Sequence, residues 1–287
     1  MSKKRVFITG GASGLGQALA IRHAKAGHRV CIGDLDEARC KDTLAAIRAA
    51  GDTEGFAIAC DVRKEADLEA VAERLVREWG GVDVVYNNAG VAQAGAIGDV
   101  SMADWQWIVD INLLGVVRGC KAFAPIMKRQ RSGHIVNTAS MAGLIHIPRA
   151  SAYNATKAAV VALSETIKLE LEPDNVKVSV VCPAFFKTNL TQSLRATEPD
   201  LADLVHHLVD RSKVSAETIA ELVFRGVERG DFHILTHTDS KVIWMLKRLA
   251  YPLYLAAMRR GIKANAAKTE KVKEKKRRAA EAAPQAG

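Results

Sequence analysis

The sequence predicts an α/β protein built on one doubly wound parallel sheet, and three observations predict it. Short apolar runs alternate with helical patterns from Arg5 to Cys182, at spacings that suit right-handed crossovers between parallel strands. A glycine-rich turn, Thr9-Gly10-Gly11-Ala12-Ser13-Gly14-Leu15-Gly16, separates the first run from the first helical pattern, where a dinucleotide-binding (Rossmann) fold needs backbone freedom. An acidic residue, Asp34, ends the second run eighteen residues after Gly16.

Each element follows in order. Arg5 to Thr9 is a short apolar strand, followed by a helix over Gly14 to Ala26, a strand from Arg29 to Gly33 and a helix from about Asp36 to Ala50. A strand near Glu54 to Ala59, a helix near Lys64 to Trp79 and a strand from Val82 to Tyr86 continue the alternation. Ser101 with Asp104 forms a capping box for one long helix reaching towards Lys128, the serine hydroxyl and the acid three residues on satisfying free N–H groups. A strand from His134 to Ser140, a helix from Ser151 to Leu171 stopped by Pro173, and a strand from Val176 to Cys182 complete the regular part. Past Pro183, Asn189 to Arg211 reads as one or two helices or a mobile lid, Ser215 to Arg229 as a helix and Phe232 to Leu235 as a last strand. The expected organisation is a single domain over 1–238, with a substrate lid at about 184–214, a helical extension over 239–260, and a basic tail over 261–287 expected to be frayed or disordered.

The chain has 287 residues and a formal net charge of +9, with 41 Lys+Arg against 32 Asp+Glu. From Arg259 onward there are ten basic and three acidic residues, which leaves 31 against 29 in the body. The charge therefore belongs to a tail, and no nucleic-acid reader motif accompanies it, so no specific nucleic-acid partner is expected. Five scattered cysteines without a CxxC pair fit a reducing cytoplasm. The first strand begins directly after MSKKR, leaving no room for a signal peptide, and no apolar run reaches the roughly 18 residues of a membrane span. There is no HExxH and no Cys/His cluster, and adjacent His206 and His207 point about 100° apart on a helix, so no metal is predicted. No serine lies in a G-x-S-x-G elbow, which argues against hydrolase chemistry.

Two sets of residues carry the chemistry. The glycines of the first turn let backbone N–H groups approach a pyrophosphate at the N-terminus of the following helix. A carboxylate at Asp34 accepts hydrogen bonds from ribose hydroxyls and repels a 2′-phosphate; no Arg or Lys occupies Ser13 or the positions directly after Asp34, so the charge argument favours NAD over NADP. The second set is Ser140, Tyr153 and Lys157. Tyr153 and Lys157 are four residues apart on a predicted helix and share a face. An ammonium beside a phenol lowers the phenol pKa, which makes Tyr153 a proton donor or acceptor near neutral pH, with Ser140 reaching the same point from the end of its strand.

With these residues in hand the chain resembles the short-chain dehydrogenase/reductase family over about Arg5 to Thr188. The resemblance rests on TGGASGLG at Thr9–Gly16, CDV at Cys60–Val62, NNAG at Asn87–Gly90, Asn112, Ser140 and YNATK at Tyr153–Lys157, in the family's order. It implies that Gly10, Ser13, Gly14, Leu15, Gly16 and Asp34 bind the dinucleotide, that Asp61 hydrogen-bonds the adenine, and that Val62 lines its pocket. It further implies that Asn88, Ala89 and Gly90 border the cofactor ribose, that Lys157 binds the nicotinamide ribose, and that Asn112 uses its side chain and a helix distortion to hold a water linking Lys157 to solvent. Phe186 and Thr188 match positions that contact the nicotinamide carboxamide. The family's Pro-Gly is Pro183-Ala184 here, which strains Ala184 if that position needs a positive φ. The resemblance also implies a homodimer or homotetramer.

The implied reaction is hydride transfer between a carbinol carbon and nicotinamide C4, with Tyr153 as general acid/base. Leu144, Ile145, Phe185 and Leu190 give the loops opposite the nicotinamide an apolar cast, which points to a hydrophobic alcohol or ketone such as a steroid, retinoid or acyl chain. Rival readings are a non-catalytic NAD-binding sensor or scaffold, and a dehydratase or epimerase on the same fold. The segment Lys241 to Arg260 can close the pocket, pack on a neighbouring subunit, or lie on an anionic membrane as a peripheral contact.

Overall fold

The computed structural model describes residues 3–35, 37–51 and 54–263. The chain divides into two compact units, Met1–His237 and Thr238–Gly287.

In the first unit a seven-stranded sheet carries the fold. Its strands are β1 (Arg5–Thr9), β2 (Arg29–Asp34), β3 (Phe56–Ala59), β4 (Val84–Asn87), β6 (Gly133–Thr138), β7 (Val176–Cys182) and β9 (His233–Leu235). The spatial order is β3-β2-β1-β4-β6-β7-β9, and every pairing is parallel. Chain order reverses between β1 and β4, and the carboxyl ends of these strands form the crevice in which such sheets bind ligands. A separate two-stranded pair joins β5 (Gln93–Ala94) to β8 (Arg195–Ala196). Nothing in so short a polar-to-small run distinguishes it from loop, which is why the sequence reading passes over it.

Alternation along the strands divides the core. Val6 and Ile8 of β1, Val30 and Ile32 of β2, and Val84 and Tyr86 of β4 share one buried cluster with Leu15, Leu19, Ile219 and Val223. These last four come from α1 (Gly14–Lys25) and α8 (Ala216–Arg229), which pack against each other. Phe7 points the other way, onto Phe123 of α5 (Gly115–Gln130), with ring centroids 5.1 Å apart. Period-two side-chain direction in a strand buried on both faces produces this division. The remaining helices of this unit with eight or more residues are α2 (Glu37–Ala49), α3 (Glu65–Trp79), α4 (Met102–Val109), α6 (Ser151–Leu171) and α7 (Pro199–Asp210).

Two boundaries differ from the sequence expectation in ways that bear on the site. The expected continuous helix from Ser101 is capped as predicted, with the Ser101 hydroxyl accepting the Asp104 N–H at 3.1 Å, but it passes through a π-helical turn at Asp110–Leu114 between α4 and α5. The strand expected to reach Ser140 ends at Thr138, and Ser140 is the N-cap of a 3₁₀ turn, Met141–Gly143. The Asn189–Arg211 stretch resolves into a 3₁₀ turn (Asn189–Ser193), β8 and α7.

Three buried histidines sit in the sheet layers. His23 contacts His28 through their Nδ1 atoms at 2.9 Å and the Tyr86 hydroxyl through Nε2 at 2.8 Å, and His134 Nε2 lies 2.7 Å from the Ser179 hydroxyl. Burial holds all three below the usual imidazole range, His134 down to about 3. The folded chain thus binds fewer protons than the unfolded one below about pH 6.5, the unfolded imidazole value. Their contribution is fully present above that pH and is lost as pH falls through and below it, reaching towards pH 3 for His134. The expected result is a melting temperature that drops steadily between pH 6.5 and pH 4, at a cost of about 1.4 kcal/mol per pH unit for each uncharged histidine. A melting temperature independent of pH over that interval would contradict it.

Candidate active site

The first βα turn has the backbone geometry that an anion site needs. Gly10 and Gly14 have φ of +64° and +54°, in the left-handed region that costs glycine least. A Cβ on Gly14 would lie 2.9 Å from Thr188 Oγ1, and one on Gly10 would lie 3.0 Å from Ala89 Cα. The turn therefore packs directly against the segment after β4 and the segment after β7. Ser13 is the N-cap of α1, its side chain makes no cap hydrogen bond, and the first turn of α1 carries no acidic residue. Unopposed N–H groups and the positive end of the helix dipole favour an anion there. Leu15 is buried and holds the helix start on the core.

Asp34 ends β2, and its carboxylate accepts the Ala12 N–H at 3.1 Å. The carboxylate is thereby fixed beside the glycine turn, where ribose hydroxyls of a dinucleotide fall. Asp61 lies at the carboxyl end of β3. Its oxygens accept from the Arg63 backbone N–H at 3.0 Å, from Arg63 Nε at 2.9 and 3.1 Å, and from a terminal guanidinium nitrogen at 2.7 Å. This hydrogen-bonded pair holds the carboxyl below its usual range. The adenine contact implied for Asp61 meets competition here, because its lone pairs are spent on Arg63 and the guanidinium must yield. Val62 is buried, packs where a Cβ on Gly115 would meet it at 2.9 Å, and has its carbonyl held by Arg118 at 3.1 Å.

The NNAG segment is fastened to β1 by one hydroxyl. Thr9 Oγ1 accepts the N–H groups of Asn88 and Ala89 at 2.9 and 3.0 Å, and Asn88 Nδ2 donates to the Thr9 carbonyl at 3.1 Å. Behind it, Asn87 donates to Asn137 Oδ1 at 2.9 Å and Asn137 donates to the Ser164 hydroxyl at 3.0 Å, a buried chain across β4, β6 and α6. A Cβ on Gly90 would lie 3.2 Å from Asn112 Oδ1 and 3.5 Å from Lys157 Nζ, so the glycine lets the ammonium and the amide approach the same turn.

Asn112 is fully buried in the π-turn. Its Oδ1 accepts the Val91 N–H at 2.8 Å and its Nδ2 donates to the Val91 carbonyl at 2.9 Å. The helix distortion implied for this position is present, and the side chain holds both backbone polar groups of Val91. The π-turn shifts the backbone hydrogen-bond pattern of the helix at this point, as the Gly115 N–H bond to the Asp110 carbonyl shows.

Ser140, Tyr153 and Lys157 converge as their spacing implies. The Ser140 hydroxyl accepts the Ala142 N–H at 3.1 Å and donates to the Pro183 carbonyl at 3.3 Å. Tyr153 and Lys157 stack one turn apart on α6, with Lys157 Nζ 5.8 Å from the Tyr153 ring centroid. The ammonium donates to the Thr138 carbonyl at 2.9 Å, and burial lowers its pKa to about 8. Burial also raises the pKa of Tyr153, and the neighbouring Ser140 hydroxyl pulls it back in part. This corrects the expected direction: enclosure of the phenol outweighs the neighbouring ammonium, which is aimed at the Thr138 carbonyl.

The substrate-side residues are less uniform than their composition suggests. Leu144 is buried, Ile145 and Leu190 are partly buried, and Phe185 is exposed. Phe186 is buried in the core cluster with Leu15 and Val181. Thr188 caps the 3₁₀ turn that follows, accepting the Leu190 N–H at 3.4 Å. Ala184 does not occupy the left-handed region; its N–H donates to His237 Nδ1 at 3.3 Å, which removes the strain expected from the missing glycine. Three contacts without any local sequence signal fasten the 190–198 stretch. These are the β5–β8 pairing, Arg195 on Asp104 at 2.8 Å with its guanidinium 3.9 Å from the Trp107 ring, and an Arg149–Glu198 ion pair. Among the described residues no group of three or more His, Cys, Asp or Glu could hold a metal ion.

These residues fit a dinucleotide on the structure's own terms: a glycine cradle at an unopposed helix N-terminus, a ribose-facing carboxylate, and a buried ammonium beside a phenol. Comparison with known proteins agrees. A family model described as short chain dehydrogenase matches residues 4–199. The chain is 34% identical over 255 residues to the CLA biosynthesis dehydrogenase/reductase of Lactiplantibacillus plantarum, covering 82% of this chain and 88% of that protein. Among solved structures, a short chain dehydrogenase/reductase from Burkholderia phymatum in complex with NAD superposes with a TM-score of 0.81 at 34% identity, over 88% of this chain and 95% of that one. A short-chain dehydrogenase from Sphingobium yanoikuyae in complex with NADPH superposes with a TM-score of 0.72 at 27% identity, over 91% and 95%.

Proposed function

Because this chain belongs to the short-chain dehydrogenase/reductase family, an oxidoreductase family that binds a nicotinamide dinucleotide, we propose that it transfers a hydride between NAD(H) and a hydrophobic secondary alcohol or ketone. The observation that carries this reading is the placement of Tyr153 one helical turn from a buried Lys157, with the Ser140 hydroxyl beside the phenol. Burying an ammonium is costly without a task for it, which weighs against a sensor or scaffold that has given up turnover.

A bound NAD supplies the hydride acceptor. Ser140 hydrogen-bonds the substrate oxygen and orients it. In the oxidation direction Tyr153 removes the hydroxyl proton, and in reduction it returns one. Lys157 donates to the nicotinamide ribose hydroxyls and sits where a positive charge favours the tyrosinate once the phenol meets the substrate. The π-turn at Asp110–Leu114, braced by Asn112 on Val91, supplies a carbonyl for a proton route to Lys157. The lid over 184–214 presents Phe185 and Leu190 to an apolar substrate of steroid, retinoid or acyl type, opposite Leu144 and Ile145. Family members are typically oligomeric with small-molecule substrates; a homodimer or homotetramer in the cytoplasm is the form proposed for this chain, in keeping with five buried cysteines that form no disulfide.

Asp34 supports NAD over NADP, since a 2′-phosphate would meet a carboxylate tied to the glycine turn. The Asp34→Ala variant is expected to narrow the ratio of kcat/KM for NAD over NADP by at least about tenfold. The test is a panel of secondary alcohols followed at the absorbance of the reduced nicotinamide with each dinucleotide. An unchanged ratio would count against the cofactor reading, and turnover restricted to small, highly charged alcohols would count against the substrate reading.

A further inference from the structure

The second compact unit carries a feature that the hydride-transfer chemistry does not use. Its helix α9 (Thr238–Leu249) is followed after Ala250 by further helix over 251–263. Val242, Met245 and Leu249 are 64%, 43% and 78% exposed. At about 100° of turn per residue they fall within roughly 60° of one another, so they form one solvent-facing stripe. Leu253, 63% exposed, prolongs the apolar surface into the next helix, and Tyr251 adds an exposed ring. Exposed apolar surface of this extent marks an interaction site.

Charge identifies the partner. No acidic residue occurs between Ser240 and Thr269, a stretch that holds seven Lys+Arg. Lys241 and Arg248 flank one side of the stripe, and both are exposed. Arg248 also lies over the Trp244 ring, with its guanidinium carbon 5.1 Å from the centroid. An apolar strip with cations along one side and Asp239 as its one acidic neighbour, and supplied with aromatic rings, matches a bilayer surface bearing anionic headgroups. A protein partner of comparable size would be met by charges of both signs. Among the described residues no helix is long and apolar enough to cross a membrane, so the segment lies on the surface rather than spanning it.

We propose that the Thr238–Arg260 segment is a peripheral membrane-binding element that seats the protein on anionic lipid. The test is co-sedimentation of the full chain with vesicles of phosphatidylglycerol mixed with phosphatidylcholine, and with vesicles of phosphatidylcholine alone. The full chain is expected to pellet with the mixed vesicles and not with the neutral ones, and raised salt should release it. A double variant, Met245→Glu with Leu249→Glu, should reduce the bound fraction about tenfold while NADH binding, followed by its fluorescence, stays unchanged. A second variant, Lys241→Gln with Arg248→Gln, should weaken binding to mixed vesicles while leaving the apolar stripe in place. Equal pelleting with neutral vesicles, no pelleting with mixed ones, or no response to either variant would overturn the proposal. So would a larger oligomer of the full chain, seen by size exclusion and abolished by the glutamate variant, because the stripe would then be covered by a second copy.

Discussion

The Tyr153→Phe variant is expected to bind NADH as the parent does and to lose turnover by a factor of about 10² to 10⁴, the range supplied by a positioned general acid/base. The phenyl ring keeps the shape of the helix face, and Lys157 keeps its hydrogen bond to the Thr138 carbonyl, so the cofactor side is undisturbed. What is removed is the hydroxyl beside Ser140. Burial raises the Tyr153 pKa, so the parent's alcohol oxidation should increase with pH through the alkaline range. In the variant that limb should be absent. Stopped-flow binding of NADH together with steady-state turnover over pH 6–10 reads both effects. Near-parental turnover, with the pH limb retained, would remove Tyr153 from the reaction.

The Gly16→Ala variant is expected to lose dinucleotide binding by more than about 100-fold and to lower stability by a few kcal/mol, as overpacking against rigid neighbours does. A Cβ there would lie 2.0 Å from the Gly10 carbonyl oxygen and 2.7 Å from Asn88 Nδ2. Neither neighbour can retreat cheaply. The Gly10 carbonyl belongs to the glycine turn proposed to cradle the pyrophosphate, and Asn88 donates to the Thr9 carbonyl. By contrast, a Cβ on Gly98 would meet nothing within 4 Å, so Gly98→Ala is the matched control and should bind NADH as the parent does. Titration of NADH fluorescence and thermal unfolding of both variants measure the two effects.

What the sequence made legible is what local chain geometry determines. The glycine turn, the carboxylate at the end of β2 and the four-residue step from Tyr153 to Lys157 all follow from periods of strand and helix, and each lies where that reasoning places it. The parallel sheet was accessible by the same route and the family through its motifs, whereas the strand order came only with the fold. The direction of the Tyr153 pKa was not accessible either, because enclosure of the phenol is a tertiary property, whereas proximity of a lysine is a local one. The fate of the Asn112 side chain depended on Val91, twenty-one residues away, and the hold on Lys157 comes from a backbone carbonyl, which no residue identity advertises. The Arg63 clamp on Asp61 was within two residues, yet a single spacing admits both an ion pair and a free carboxylate. The β5–β8 pairing and the Arg195–Asp104 bridge join segments about a hundred residues apart, beyond the reach of any periodic pattern.

The central claim, that a hydride leaves a carbinol carbon for a nicotinamide held by this chain, is tested most directly by isotope transfer. A secondary alcohol that is a substrate in the panel is prepared with deuterium on its carbinol carbon and incubated with the protein and NAD, and the reduced dinucleotide is examined by mass spectrometry. The account predicts NADH carrying one deuterium at C4, formed in proportion to ketone. NADH without the label, or ketone formed without NADH, would contradict it.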